Sequence, residues 1–126
     1  MSFFDLPPIL EKMRRRLKAT LRGESLSLEG IDRVITTINY SLRANIENLD
    51  LDGSSDLRGY GNAENNVING NAGINLLYGR DGNDDLRGHA GNDILYGENG
   101  DDRLQGNWGQ DRLYGGTGAD TFLFRD

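Results

Sequence analysis

The sequence predicts an all-β fold: a solenoid of nine-residue repeats, preceded by extra β-strands and a short N-terminal amphipathic helix. Three observations predict it. A glycine returns at every ninth position from Gly61 to Gly115, and only one position of each unit is regularly apolar. The 126-residue chain is also only 36% hydrophobic and contains 18 glycines, which does not suit an ordinary globular core.

Residues 1–29 carry the pattern of the short helix. Two prolines suit its start, Gly23 suits its end, and apolar side chains recur at every fourth position at Ile9, Met13, Leu17 and Leu21. Basic residues fill most of the remaining positions. We interpret this segment as a cap that covers one end of the next element; the alternative is a basic helix that contacts a membrane or an acidic partner through residues 9–22.

Residues 30–60 predict β-strands that lead into the solenoid. The run "RVITTINYSL" is rich in β-branched and aromatic residues, and its apolar and polar positions alternate. The run "NIENLDLDG" alternates in the same way and ends at Gly53. Neither run contains a catalytic motif.

Residues 61–126 form the third segment, which begins with seven nine-residue units that follow one another without an insertion from Gly61 to Leu123. Position six is a carboxylate or an amide: Asn66, Asn75, Asp84, Asp93, Asp102, Asp111 and Asp120. Position eight is apolar: Ile68, Leu77, Leu86, Leu95, Leu104, Leu113 and Phe122. We therefore expect positions one to six to form a turn and positions seven to nine to form a strand whose middle side chain points inward.

The energetics of such a unit call for a cation. Burying one leucine contributes roughly 1.5–3 kcal/mol, whereas ordering the backbone costs roughly 1–2 kcal/mol for each residue of the unit. Stacked aspartates repel one another as well. Carboxylate and carbonyl oxygens are the donors that Ca²⁺ prefers, while Zn²⁺ favours histidine or cysteine, and the chain has one histidine and no cysteine. The sequence thus predicts a repeat that folds around calcium.

Composition excludes several other classes. The net charge is -6, with +2 in residues 1–29 and -8 in residues 30–126, which argues against nucleic acid as the main partner. The absence of cysteine excludes disulfides and thiolate metal sites. No apolar run approaches the roughly 18 residues of a membrane span, and the three arginines from Arg14 to Arg16 precede no apolar stretch of an ordinary signal peptide.

The units resemble the nonapeptides of the RTX (repeats-in-toxin) family, G-G-x-G-x-D-x-U-x, which bind calcium in a right-handed parallel β-roll. "GGTGADTFL" from Gly115 matches this pattern fully, and "GRDGNDDLR", "GHAGNDILY", "GENGDDRLQ" and "GNWGQDRLY" match except at the second glycine. Residues 30–53 and 59–79 are similar to segments that precede such repeats in secreted bacterial proteins. The resemblance covers residues 30–126.

The resemblance implies that two units make one coil and that calcium lies between position-six carboxylates two units apart. The pairs Asp84–Asp102, Asp93–Asp111 and Asp102–Asp120 would then form about three strong sites. Turn residues would complete them: Gly79, Gly88, Gly97, Gly106 and Gly115 at position one; Asp81, Ala90, Asn99, Trp108 and Thr117 at position three; Gly82, Gly91, Gly100, Gly109 and Gly118 at position four; and Gly116. Asn66 and Asn75 supply neutral, weaker donors and are interpreted as structural turn residues or as parts of weaker sites.

The other polar and aromatic residues of the repeat are interpreted mainly as solvent-exposed or packing residues. Asp85 and Asp101, together with the side chain of Asp81, are expected to be solvated charges. His89 is expected to be an exposed turn residue and Trp108 to project from the roll. The tyrosines at position nine of alternate units, Tyr78, Tyr96 and Tyr114, are expected to stack in one row, as packing or, alternatively, as a carbohydrate-binding strip.

We therefore expect a calcium-binding module of a secreted, extracellular protein, exported by type I secretion as the resemblance implies, with no catalytic constellation of its own. The alternatives are the C-terminal fragment of a secreted RTX enzyme (a protease, lipase or sugar epimerase) or toxin, and a membrane-active protein that works through the basic helix. The sequence contains neither H-E-x-x-H nor G-x-S-x-G. It predicts calcium as the partner and identifies no protein partner.

Overall fold

The computed structural model describes residues 32–124 and, before them, three short strands: β1 (Lys12–Arg14), β2 (Leu17–Lys18) and β3 (Ser27–Leu28). β2 pairs with β3, and β1 pairs antiparallel with the first strand of the solenoid, Arg33–Thr36. At these residues strand pairing replaces the predicted helix, because β1 covers a sheet edge whose backbone groups would otherwise lack partners. The rest of the predicted helix lies outside the described residues.

Eleven short strands build a parallel solenoid, which confirms the predicted fold. They are β4 (Arg33–Thr36), β5 (Tyr40–Ser41), β6 (Asn48–Leu51), β7 (Arg58–Tyr60), β8 (Val67–Asn69), β9 (Leu76–Tyr78), β10 (Asp85–Arg87), β11 (Ile94–Tyr96), β12 (Arg103–Gln105), β13 (Arg112–Tyr114) and β14 (Thr121–Leu123). Even-numbered strands from β4 form one sheet and odd-numbered strands from β5 form the other. From β8 onward each strand occupies positions seven to nine of its unit, as predicted. The described residues contain no helix that could cross a membrane.

The coils stack with side chains in register. Leu86 lies opposite Ile68 on one side and Leu104 on the other, so one coil of the repeat takes two units. The earlier coils are less regular, because the coil from Val34 to its partner Leu49 is shorter than two units and the coil from Leu49 to its partner Ile68 is slightly longer. The strands of residues 33–60 nevertheless lie in the same two sheets as the strands of the repeat.

Position eight fills the space between the sheets. Ile68, Leu77, Leu86, Leu95 and Leu104 are fully buried, as the single apolar position of each unit predicts. The core is unevenly distributed along the chain. Among residues 32–124, eight of the eleven buried apolar side chains lie between Val34 and Leu77, and only three lie beyond them.

The turns of the repeat require left-handed backbone at two positions. Position four is glycine with φ between 90° and 107° from Gly82 to Gly118. A Cβ added to Gly82 would lie 2.5 Å from the carbonyl oxygen of Glu64, so neighbouring turns approach too closely for a side chain. Position two is also left-handed, yet it is not glycine at Arg80, His89, Glu98 and Asn107. These residues stand where the family pattern has its second glycine.

The predicted tyrosine row is present and one ring longer. Tyr60, Tyr78, Tyr96 and Tyr114 stack with ring centroids 4.9–5.0 Å apart and nearly parallel planes. Arg80 lies over the outer face of Tyr60. Because the inner ring faces are covered by neighbouring rings, this row is typical of packing along a sheet rather than of a sugar platform.

The strain at position two generates a stability prediction. The side chain of His89 is exposed and its backbone φ is 67°. Its ring forms a hydrogen bond with the Asn69 side chain. His89→Gly should relieve the left-handed strain, whereas His89→Ala removes the same ring and keeps the strain. We expect the glycine variant to be more stable than the alanine variant by about 0.5–1 kcal/mol in urea unfolding with calcium present. Equal stability of the two variants would contradict the prediction.

Candidate metal centre

The position-six side chains form two columns inside the turns. Each one immediately precedes a strand, so the end of the turn directs it inward while the next residue begins the sheet. Asp84, Asp93 and Asp102 are buried, with 2%, 0% and 2% of their surface exposed. Asp111 and Asp120, nearer the end of the chain, are partly exposed.

A backbone ladder joins the members of each column. The N–H of Asp84 donates to Oδ1 of Asp102 at 2.8 Å, and the N–H of Asp102 donates to Oδ1 of Asp120 at 2.8 Å. In the other column the N–H of Asp93 donates to Oδ1 of Asp111 at 2.7 Å. The structure therefore brings together all three aspartate pairs that the resemblance to RTX repeats implies, each pair two units apart.

The second carboxylate oxygen has no such partner. Oδ2 of Asp84, Asp93 and Asp102 is buried and receives no hydrogen bond. A buried acceptor left in this state costs about 1–3 kcal/mol, and more when it is charged. These three oxygens are the strongest sign in the described residues that a ligand belongs in the turns.

Glycine at position one provides the room for that ligand. A Cβ added to Gly79 would lie 2.6 Å from Oδ2 of Asp84 and 2.8 Å from the carbonyl oxygen of Gly97 in the next coil. A Cβ added to Gly97 would meet Oδ2 of Asp102 at 2.5 Å and the carbonyl oxygen of Gly115 at 2.7 Å. Carboxylate and carbonyl oxygens thus converge beside each of these glycines.

Burial makes the negative charge of these carboxylates unfavourable. Desolvation raises the pKa of Asp84 to about 8, of Asp93 to about 7 and of Asp102 to about 6, from a usual value of 3.8. Hydrogen bonds from backbone N–H groups lower these pKa values only in part, and the neighbouring carboxylates raise them further. A cation between the coils would supply the missing positive charge.

The donor set fits calcium. Each aspartate pair offers carboxylate oxygens, and the turns offer carbonyl oxygens, which is the ligand chemistry of Ca²⁺ in proteins. Among residues 32–124 no group of three or more His, Cys, Asp or Glu side chains could hold a metal by side chains alone. Backbone carbonyls would have to complete any site, as the resemblance implies.

The remaining turn residues of the predicted sites fall into two groups. Position-four glycines stack backbone on backbone: a Cβ on Gly91 would lie 2.5 Å from the carbonyl oxygen of Gly73. Position-three side chains point outward, where Nδ2 of Asn99 donates to Asp81 at 2.8 Å and Oγ1 of Thr117 donates to Asn99 at 2.9 Å. Only the backbone of position three, which includes Ala90 and Trp108, can contribute to the turn interior. Gly116 has φ 83° at position two of the last unit.

Position five has a structural role that the sequence analysis missed. Its side-chain oxygens accept the N–H of the equivalent residue one coil later: Asn65 from Asn83, Asn83 from Asp101, and Asp101 from Ala119, each at 2.8 Å. Asp101 is therefore exposed, as predicted, but also stabilises the next turn. The sequence indicates this role, since position five is Asn or Asp in four of the seven units.

Two of the other single residues lie as expected and one does not. Asp85, expected to be a solvated charge, is only partly exposed and pairs with Arg87 at 2.9 Å on the outer surface of the sheet. His89 is exposed and Trp108 is 57% exposed. None of these side chains reaches the column of buried carboxylates.

Comparison with known protein families agrees with this geometry, whereas no curated protein and no solved structure matches the chain. The family described as the RTX calcium-binding nonapeptide repeat (4 copies) matches residues 60–95 and 87–122, which together span half of the 126 residues. With its nine-residue register, parallel coils and inward aspartates, the chain belongs to the RTX calcium-binding nonapeptide repeat family.

Proposed function

We propose that this chain is a calcium-binding β-roll module of a secreted bacterial protein, and that its aspartate coils fold when they bind calcium outside the cell. The observation that carries the proposal is the buried Oδ2 atom of Asp84, Asp93 and Asp102, which has no hydrogen-bond donor. Asp84–Asp102, Asp93–Asp111 and Asp102–Asp120 are the three proposed sites. The same role holds whether the roll works alone or as part of a longer secreted enzyme or toxin.

Calcium would act on the folding equilibrium rather than on a substrate. Beyond Leu77 each unit buries one leucine at most, and that contribution is smaller than the cost of ordering the backbone of the unit. An ion between two coils neutralises their carboxylates and links their turns, so it stabilises only the coiled state. A chain of this kind stays open where calcium is scarce, as inside a cell, and closes where calcium is abundant, which suits export by type I secretion.

Calcium titration tests the proposal directly. In chelator, residues 79–123 should lack most of their β-structure, and calcium should restore it cooperatively with a midpoint near the range of extracellular modules, roughly 10⁻⁴–10⁻³ M. Circular dichroism measures the change, and elemental analysis of the chelated protein excludes metal that is still bound. A spectrum that does not change on removal of all calcium would refute the proposal.

Single isosteric substitutions test which carboxylates bind. Asp102→Asn changes a residue shared by two proposed sites, so it should raise the calcium midpoint more than Asp120→Asn, which changes one site at the end of the roll. Asp101→Asn is the matched control, because it removes the same negative charge at the adjacent residue and keeps the oxygen that accepts the Ala119 N–H. Equal shifts for Asp101→Asn and Asp102→Asn would mean that bulk negative charge, not the repeat register, governs binding.

The raised pKa values predict different pH trends with and without calcium. In chelator, a group whose folded pKa is raised stabilises the fold below its usual pKa of 3.8, and this stability is lost as pH rises through 6 to 8, where Asp102, Asp93 and Asp84 titrate. With calcium, the ion replaces the proton in the folded coils. Because the unfolded coils present ionised carboxylates between pH 6 and pH 8, the calcium midpoint should change little in this range, and it should rise below about pH 4, where the unfolded carboxylates themselves bind protons.

Calcium titrations at several pH values, followed by circular dichroism, measure both trends. Asp101→Asn should leave them unchanged, because the Asp101 side chain lies on the exposed side of the turn. An increase of β-structure in chelator as pH rises from about 4 to 8 would contradict the raised pKa values of the buried carboxylates.

A further inference from the structure

Asn62 and Asn66 form a closed hydrogen-bond network in the first turn of the repeat. Oδ1 of Asn66 accepts the N–H of Asn62 at 2.8 Å, and Nδ2 of Asn66 donates to Oδ1 of Asn62 at 3.0 Å. Oδ1 of Asn62 also accepts the N–H of Glu64 at 2.9 Å. The position-six side chain of this turn therefore has partners for both its oxygen and its nitrogen.

The amide groups of this pair also reach the turn of the preceding coil. Nδ2 of Asn62 donates to the carbonyl oxygens of Arg43 and Ile46, both at 2.8 Å. Nδ2 of Asn66 donates to the carbonyl oxygen of Glu47 at 3.1 Å. Two neutral amides thus link neighbouring turns by donating to carbonyl oxygens, which is the task assigned to the ion in the aspartate coils.

The same arrangement recurs in the next unit. Oδ1 of Asn75 accepts the N–H of Asn71 at 2.7 Å, and Nδ2 of Asn75 donates to Oδ1 of Asn71 at 2.8 Å. Nδ2 of Asn71 donates to the carbonyl oxygens of Asp52 and Ser55 at 3.1 and 2.9 Å. The two units, residues 61–78, are called the asparagine coil below.

The backbone of the asparagine coil differs from that of the aspartate turns. Position two is left-handed at Arg80 and in the four units after it, but not at Asn62 or Asn71. As a result the N–H of Arg80 donates to Oε2 of Glu98 instead of to its own position-six side chain. Oδ2 of Asp84 therefore lacks the N–H that satisfies Oδ1 of Asn66.

The number of buried apolar side chains also changes at the end of the asparagine coil. In the part of the chain that the structure describes, eight of the eleven buried apolar side chains lie between Val34 and Leu77. Within residues 61–78 no buried side-chain nitrogen or oxygen lacks a partner. The asparagine coil therefore has no unsatisfied buried side-chain group, and the half of the solenoid that ends with it buries more apolar side chains than the half beyond it.

We propose that the asparagine coil binds no calcium and that residues 32–78 fold without it, as a base on which the aspartate coils assemble when calcium arrives. The inference rests on the proposed function, because it needs the aspartate coils to depend on calcium. It assigns to Asn62, Asn66, Asn71 and Asn75 the place that the ion has in the later turns. The base offers strand edges in register, so β10 and β11 add to a preformed template rather than nucleating anew.

Amide hydrogen exchange on the full chain tests this division. The N–H groups of Val67 and Leu76 donate across coils within the base, to Glu47 and Leu57, whereas those of Arg103 and Arg112 donate to Asp84 and Asp93 in the aspartate coils. In chelator we expect the first two amides to stay protected by about 100-fold or more while the last two exchange freely. With calcium all four should be protected.

The other outcomes separate the two proposals. If all four amides lose protection in chelator and regain it together with calcium, the calcium-independent base is refuted and the proposed function stands. If all four remain protected in chelator, calcium does not drive folding, and the proposed function fails together with the division.

Converting the asparagine coil into an aspartate turn supplies a gain-of-function test. The double substitution Asn71→Gly and Asn75→Asp gives this unit the family pattern, opposite Asp93, whose Oδ1 already accepts the Asn75 N–H. We expect one additional calcium ion per chain in equilibrium dialysis, and loss of Leu76 protection in chelator that calcium restores. Unchanged calcium binding with Leu76 still protected would refute the role of these amides.

Asn65→Asp is the matched control for that variant. It adds one negative charge at position five, where the side chain is exposed and keeps the oxygen that accepts the Asn83 N–H. Calcium stoichiometry and the protection of Leu76 in chelator should be the same as in the unsubstituted chain. If the control also binds an extra ion, added charge rather than turn structure explains the result, and the role of the amides is refuted.

Discussion

The constraint on which this structure depends is the in-register stacking of position six. Because each coil of the repeat takes two units, whatever occupies that position is placed next to a copy of itself inside the turn. One oxygen of each aspartate accepts an N–H from the coil before it, and the other is left without a donor. Glycine at position one keeps that oxygen accessible, and glycine at position four allows the backbones to approach. A buried carboxylate in this setting is stable only with a proton or a cation beside it.

The chain satisfies this constraint in two chemically different ways. In residues 61–78 a neutral amide brings its own donors, so both atoms of the side chain are hydrogen-bonded. From Asp84 onward a carboxylate brings only acceptors, and the position-two N–H that served the amide turns away because that residue is left-handed. Exchanging an amide for a carboxylate therefore changes the turn from one that is complete within the chain to one that requires an added ligand.

Much of the fold followed from the period of nine. The inward leucines and the strands at positions seven to nine depend only on the spacing of like residues, which the sequence displays directly. The adjacency of Asp84 and Asp102 also required the two-unit coil that the resemblance to RTX repeats implies. The two irregular coils before Ile68 have no periodic glycine to mark them, so their lengths could not be inferred. The pairing of Gly59 with Leu77, which places a glycine in line with the inward position eight, could not be inferred either. The strand at Lys12–Arg14 follows from an open sheet edge that only the assembled sheet presents.

Only part of the candidate site, likewise, could be predicted from the sequence. The carboxylate pairs could be predicted because the resemblance to RTX repeats implies two units per coil, and both partners occupy the same position of their units. The pairing of Asn62 with Asn66 could not be, since it depends on a turn conformation and on carbonyl groups of Arg43 and Ile46 in a coil that the repeat does not include. The recurrence of Asn or Asp at position five indicated a structural role for Asp101, but the partner could not be inferred, because the backbone N–H that Asp101 binds carries no sequence signature.

The alternation of the two sheets also bears on how such a chain can change in length over evolution. Tyrosine occupies position nine on one sheet, whereas Asn69, Arg87 and Gln105 occupy it on the other. Recombination that gains or loses two units adds or removes a whole coil and returns every later side chain to its own sheet. Gain or loss of a single unit would move all later residues to the opposite sheet, where the ring of Tyr96 would meet Arg87 and the row of stacked rings would be broken. Duplications of paired units should therefore be tolerated far more often than duplications of one.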